Sequence, residues 1–131
     1  MPEQGGEARS YPSQVGIDAY GNGGFRFAGM SHRGSLLCLP TGMQAWPITT
    51  ASELTLAAFQ PVLELADRID VLFIGAGHDI MPLSAELRAA FRDRSVIVEA
   101  VSTGSAIRTY NVLLAEQRAV AAALIAVDRV R

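Results

Sequence analysis

The chain has 131 residues, half of them apolar, and a formal charge of −2 with acids and bases interspersed. That suits one domain around one hydrophobic core, and it excludes the basic stripe with which a nucleic-acid binder neutralises phosphates. All 11 lysine-plus-arginine positions are arginine, which excludes Schiff-base chemistry, a lysine general base and the P-loop lysine together.

Residues 1–13 carry Gly5-Gly6, two prolines and scattered charge and read as a flexible tail, without the apolar core of a secretory signal. A single α/β domain is expected over 14–131. Val15-Gly16-Ile17-Asp18-Ala19 alternates apolar and other residues, as does Phe25-Arg26-Phe27, about the hairpin signal Gly21-Asn22-Gly23-Gly24. Putting Ile17 and Ala19 on one face with Phe25 and Phe27 requires an odd loop. A loop over 21–23 would set Asp18 opposite Arg26. Gly34-Ser35-Leu36-Leu37-Cys38-Leu39-Pro40 is a strand buried on both faces, and Cys38, the only cysteine, is an inert thiol within it. Gln44-Ala45-Trp46-Pro47-Ile48 is a strand near a sheet edge, since Pro47 lacks a ladder donor. Thr55 is placed to cap a short helix over 56–66 that Pro61 breaks or bends.

The texture then changes. Ile69–Gly75 is a buried strand, 75–79 a loop, and Ser84 caps a helix running to about Arg94. Val96–Val101 is the next strand. Thr103-Gly104-Ser105 turns into a long final helix that ends near Val127. The last part of that helix, Ala119–Val127, is apolar on every face, so it is expected to dock onto a partner or a second copy, with full burial in the monomer weighed evenly against this. No run approaches the roughly 20 apolar residues of a spanning helix. N-terminal hairpins followed by a β-α-β-α half make an α/β fold with helices packed on a mixed sheet.

Tyr20-Gly21-Asn22-Gly23-Gly24-Phe25-Arg26, Gly34-Ser35, Trp46, Val71–Gly77 and the block from Thr103 through Arg108-Thr109-Tyr110-Asn111 to Glu116 occur in an order that resembles one family. This is the Mth-type domain family of unknown function. Its relatives include mitochondrial complex I (NADH-ubiquinone oxidoreductase) assembly factor three and the adipogenesis-associated Mth-domain protein. Tyr20, Gly21, Gly24, Arg26, Trp46, Gly75, Thr109, Tyr110 and Glu116 carry the motif. The chain departs from the pattern at Val101-Ser102, where Met-Asp is common, at Gln117 in place of a glycine, and at Ala119 in place of an arginine. The resemblance implies a three-layer α/β fold around a mixed sheet and a non-enzymatic role in building membrane-bound respiratory complexes. For bacterial members it implies no settled activity, only genes that tend to lie near those for membrane-protein export.

No catalytic set emerges from the residues themselves. Gly75-Ala76-Gly77-His78 follows a strand, but Ile80 stands at the third glycine position and the helix starts late, which rejects dinucleotide binding. There is no Gly-x-Ser-x-Gly elbow, and His32, His78 and Cys38 have no metal-ligand spacing, so neither metal nor cofactor is expected. The start of the last helix is the one candidate site. Thr103, Gly104, Ser105, Arg108 and Asn111, facing a loop with Gly77 and His78, would bring helix N–H groups, hydroxyls and a fixed cation toward a small anion. The competing role is an ordinary cap with Arg108 buried against Glu99 or Asp79. The expectation is therefore a cytoplasmic, non-enzymatic binding or assembly factor with a protein partner, able to associate peripherally with a membrane or to form a homodimer. The alternative is a small-ligand or anion-binding protein, at its furthest a weak hydrolase, using the crevice near Gly77 and Arg108.

Overall fold

The computed structural model describes residues 9–78 and 82–129. Short apolar runs become the strands of a mixed six-stranded sheet. These are β1 (Ser10–Tyr11), β5 (Ser35–Leu39), β6 (Gly42–Trp46), β7 (Val71–Gly75), β8 (Ile97–Val101) and β9 (Val120–Leu124), in spatial order β1-β6-β5-β9-β7-β8. A second sheet orders β2 (Ala19–Gly21), β3 (Gly24–Phe27) and β4 (Met30–Arg33) consecutively. The described residues also form the α-helices α1 (Gln60–Leu63), α2 (Ala85–Asp93) and α3 (Thr103–Ala115), with short 3-10 turns between β6 and β7. Strands β9, β7 and β8 run parallel, joined through α2 and α3, while β5 meets β9 antiparallel.

The sheet separates two cores. On one face Leu37, Leu39, Leu72, Ile74 and Ala123 meet Phe59 and Val62 near α1 and Leu87 and Phe91 of α2. On the other, Leu36, Cys38, Phe73, Ala122 and Leu124 meet Ala106, Ile107 and Tyr110 of α3 and Phe25 and Phe27 of the small sheet. The result is the expected three-layer α/β arrangement. β5 behaves as read, buried along its whole length, because alternate residues feed opposite cores. Ser84 caps α2 as expected, its hydroxyl accepting from Leu87 N at 3.1 Å.

Four elements differ from the sequence reading. The long final helix stops at Ala115, and residues 120–124 form β9, buried at every position between β5 and β7. The apolar run that looked like a docking helix is therefore the interior of the sheet, where both faces require apolar side chains. What stops the helix is Gln117, at φ 61°. Gln117 N–H donates to Leu114 O at 2.9 Å and Arg118 N–H to Leu113 O at 3.0 Å, the paired bonds of a left-handed helix stop.

The β2–β3 turn is the second difference. It has two residues, not three: Gly21 pairs with Gly24 and Ala19 with Arg26, while Asn22 and Gly23 both have positive φ. That turn matches the twist of its strands, and Asp18 lies beyond the ladder, its N–H donating to Arg26 O at 2.8 Å. Third, the 56–66 region is broken into short turns, Thr55 caps nothing, and Pro61 sits in the first turn of α1, where its missing N–H costs nothing. Finally, Ser10 and Tyr11, assigned to the tail, pair with Gln44 and Met43 at the sheet edge. The remainder of the expected tail, 1–8, lies outside the described residues.

Candidate functional site

The parallel half of the sheet places two chain reversals side by side, the exit of β7 at Gly75–His78 and the start of α3 after β8. Thr103 joins them. Its buried hydroxyl donates to Ile125 O at 2.7 Å and accepts from Gly77 N at 3.0 Å, while its own N–H donates to Gly77 O at 2.9 Å. One side chain thus ties the β7 exit, the α3 start and the segment after β9 together. Gly75 makes this possible, since a Cβ there would lie 2.8 Å from Thr103 Cα. Ser102 caps α3, its hydroxyl accepting from Ser105 N at 3.3 Å. Aspartate caps as well as serine, so the departure from Met-Asp leaves the cap intact.

A cavity of about 130 Å³ opens over this junction, lined by Tyr20, Gly77, His78, Thr103, Gly104 and Arg108 among others. Five of the seven residues expected at the site meet there. Arg108 is exposed, so it is not the buried cation of the competing reading. One of its Nη atoms donates to Ser105 Oγ at 3.0 Å. Asp79, one of its expected partners, lies outside the described residues. Asn111 is engaged elsewhere. Its Oδ1 accepts from Ile17 N and its Nδ2 donates to Ile17 O, both at 2.8 Å, which pins the N-terminal segment to α3. Ser105 is held by Ser102 and Arg108 and does not line the cavity. Tyr20, which the sequence reading placed in the motif but not at the site, closes one wall. A Cβ on Gly104 would collide with its hydroxyl, so glycine lets the Tyr20 ring lie against the start of α3.

Other motif residues have architectural partners. Trp46 Nε1 donates to Ala58 O at 2.8 Å beside the ring of Phe59. Tyr110 is buried, its hydroxyl donating to Val15 O at 2.7 Å. Thr109 Oγ1 donates to Ser105 O at 3.3 Å, and Glu116 ends α3. Burial pushes the Cys38 thiol far above its ordinary range, with the Tyr110 hydroxyl opposing the shift, which makes it a poor nucleophile. Among the described residues no three His, Cys, Asp or Glu side chains gather as metal ligands.

A second concavity shares Tyr20 with the first. It is about 490 Å³, lined by Arg9, Arg26, Arg33 and His32 together with Tyr20 and Asn22 among others. His32 is buried beneath it, with Nδ1 3.0 Å from the Tyr11 hydroxyl and Nε2 3.1 Å from Ser35 O. Burial holds its pKa below the ordinary value; the bond to Ser35 opposes the shift and the charge of Arg9 adds to it. Sequence reasoning missed this grouping, because Arg9 lay in the presumed tail and β4 carried no motif.

The family model described as "Protein of unknown function (DUF498/DUF598)" matches residues 17–125. An uncharacterized protein of Rhodobacter capsulatus is 41% identical over 124 residues, 95% of this chain and 91% of that protein. NADH dehydrogenase (ubiquinone) 1 alpha subcomplex assembly factor 3 of Mus musculus is 31% identical over 88% of this chain, which spans 62% of the assembly factor's own length. Among solved structures, a Bartonella henselae protein described as an outer membrane protein superposes with a TM-score of 0.86 at 50% identity, over 89% of this chain and 98% of that one. A Bordetella pertussis protein described as an Mth938-like domain superposes with a TM-score of 0.77 at 26% identity, over 88% of this chain and 87% of that one.

Proposed function

The chain belongs to the DUF498/DUF598 family, and from that premise we propose that it is a non-catalytic binding factor that helps to assemble a membrane protein complex, respiratory complex I first among them. The observation that carries this is the likeness to the mouse assembly factor, which runs over 88% of the chain. It is supported by the chemistry of the motif residues: Trp46, Tyr110 and Gly75 serve the fold and not a reaction. Among the described residues no helix is long and apolar enough to cross a membrane. The factor would act from the cytoplasm, on subunits at the membrane face. Deleting the gene is expected to lower the amount of assembled complex on native gels without lowering the messages of its subunits. Unchanged levels of every membrane complex in the deletion strain would overturn the proposal.

A second reading takes the crevice as a site for a small anion. What favours it is the exposed guanidinium of Arg108 at the rim of a cavity over the start of α3. Under this reading inorganic phosphate at millimolar concentration shifts the amide signals of Gly104 and Arg108, and Arg108→Gln removes the shifts while leaving the melting temperature in place. No shift in the wild-type protein would end it.

A further inference from the structure

We infer that the arginine-lined groove behind β3 and β4 is a docking surface for an extended acidic segment of a partner protein, an inference that rests on the protein-binding reading above. Strand alternation creates the groove. Phe25 and Phe27 point into the core, which turns Arg26 outward, and buried His32 likewise leaves Arg33 exposed on β4. The ladder sets Arg26 opposite Ser31, and Arg26 Nη1 donates to Ser31 Oγ at 3.1 Å, which steadies the guanidinium and leaves most of its donors unengaged by that bond. Arg9 approaches from the segment just before β1. It is held by its carbonyl, which accepts from Ala45 N at 2.9 Å, and by its guanidinium lying 5.7 Å from the centre of the Tyr11 ring.

Two recesses join along this line. The first, of about 490 Å³, holds all three arginines, and the second, of about 480 Å³, shares Arg9 and Arg33 and runs on to Trp46 and Pro47. No aspartate or glutamate among the described residues lines either recess. An acid does stand at one end: the carboxylate of Asp128 and Nη1 of Arg33 both approach Gly23. In a chain of net charge −2, three arginines with no lining acid are a local reversal of sign.

The occupant follows from shape and charge. The two recesses are open and share Arg9 and Arg33, so one phosphate would leave much of them empty, whereas an extended chain advances about 3.3 Å per residue and offers carboxylates at several points. Each arginine fork takes a carboxylate through two parallel bonds and keeps its charge at any physiological pH. His32 adds no charge: buried, with one ring nitrogen facing the Tyr11 hydroxyl and the other Ser35 O, it is the neutral floor. The positive field is that of the arginines alone, and it selects an acidic segment over a basic or neutral one.

The test uses the full chain and a fluorescein-labelled decaglutamate peptide. Saturable binding is expected at low salt, weakening at least tenfold at high salt, with amide shifts confined to Gly21, Asn22, Arg33 and Ala45. Arg9→Glu combined with Arg33→Glu should weaken binding at least tenfold at an unchanged melting temperature, and Arg88→Glu with Arg92→Glu on α2 should leave it unaltered. Absence of binding, equal weakening by the α2 pair, or shifts spread over the surface would overturn the inference. So would occupation of the groove by phosphatidylglycerol vesicles or inorganic phosphate in place of the peptide, or by a second copy of the chain in sedimentation. Peptide binding in a protein whose deletion leaves every membrane complex intact would sink the assembly role and keep the surface. Loss of complexes without peptide binding would do the reverse.

Discussion

The crevice at the start of α3 and the groove behind β3 and β4 share Tyr20 but treat their polar groups in opposite ways. In the crevice, the hydroxyl of Thr103 and the N–H of Gly77 satisfy each other or nearby carbonyls. In the groove the arginine heads stay exposed, and only the buried His32 is fully engaged. The difference teaches where a fold can keep reactive or adhesive groups. A junction of three chain segments buries backbone that must be hydrogen-bonded, so its side chains become fasteners. Strands at the margin of a small sheet bury one face and leave the other available.

The sharpest way to break that comparison is to damage the junction itself. Ile125 is buried directly after β9, and its carbonyl is the one Thr103 grips. Ile125→Glu should abolish the cooperative thermal transition, because an unpaired buried carboxylate added to the lost packing, worth about 2–5 kcal/mol, rivals a typical domain stability of about 5–15 kcal/mol. A folded variant would mean that the segment is not interior.

Thr103→Val should come next, costing about 1–3 kcal/mol in denaturant unfolding, since it keeps the shape and leaves the partner groups unmatched. A neutral result would show that the hydroxyl does not fasten the junction.

Acid should then distinguish the floor of the groove from its walls. Burial keeps the folded pKa of His32 below the ordinary 6.5, so between those two values the unfolded chain binds a proton that the folded one refuses. The stabilisation is complete above 6.5 and declines as the pH falls through 6.5 toward the folded value. His32→Asn should flatten the fall in stability measured by urea titrations across that window. An identical slope in the variant would remove His32 as its source.

The smallest effect is expected at the walls. Arg9→Gln with Arg33→Gln should change the unfolding free energy by less than about 0.5 kcal/mol, the usual size for surface positions. A larger loss would make these arginines structural after all.

Much of this architecture is legible along the chain. β5, β7, α2 with its Ser84 cap, and β8 can be read because their signals are local: an apolar run, a cap, a period. β9 cannot. Ala121-Ala122-Ala123 favours a helix by propensity, and the residues become a strand only because the gap between β5 and β7 accepts small apolar side chains on both faces. The one local warning was Gln117 at a position where the family often has glycine, since a left-handed φ there ends α3. At the crevice, the proximity of Gly77 and Thr103 was readable from strand–helix order. The bond from Asn111 to Ile17 joins residues 94 apart, and no spacing rule connects them. The same holds for Arg9 and Arg33, which meet only because β1 closes the edge of one sheet beside the other.

The sequence by itself determined the α/β class, most of the parallel half and which residue types gather near the start of α3, because hydrophobic period, caps and turns act over a few residues. Only the tertiary structure decided that the last apolar run is the centre of the sheet, that Thr103 and Asn111 are fasteners, and that three arginines share a groove. Those outcomes depend on which distant segments must satisfy one another's buried hydrogen bonds and fill one another's space, and no local interaction carries that information.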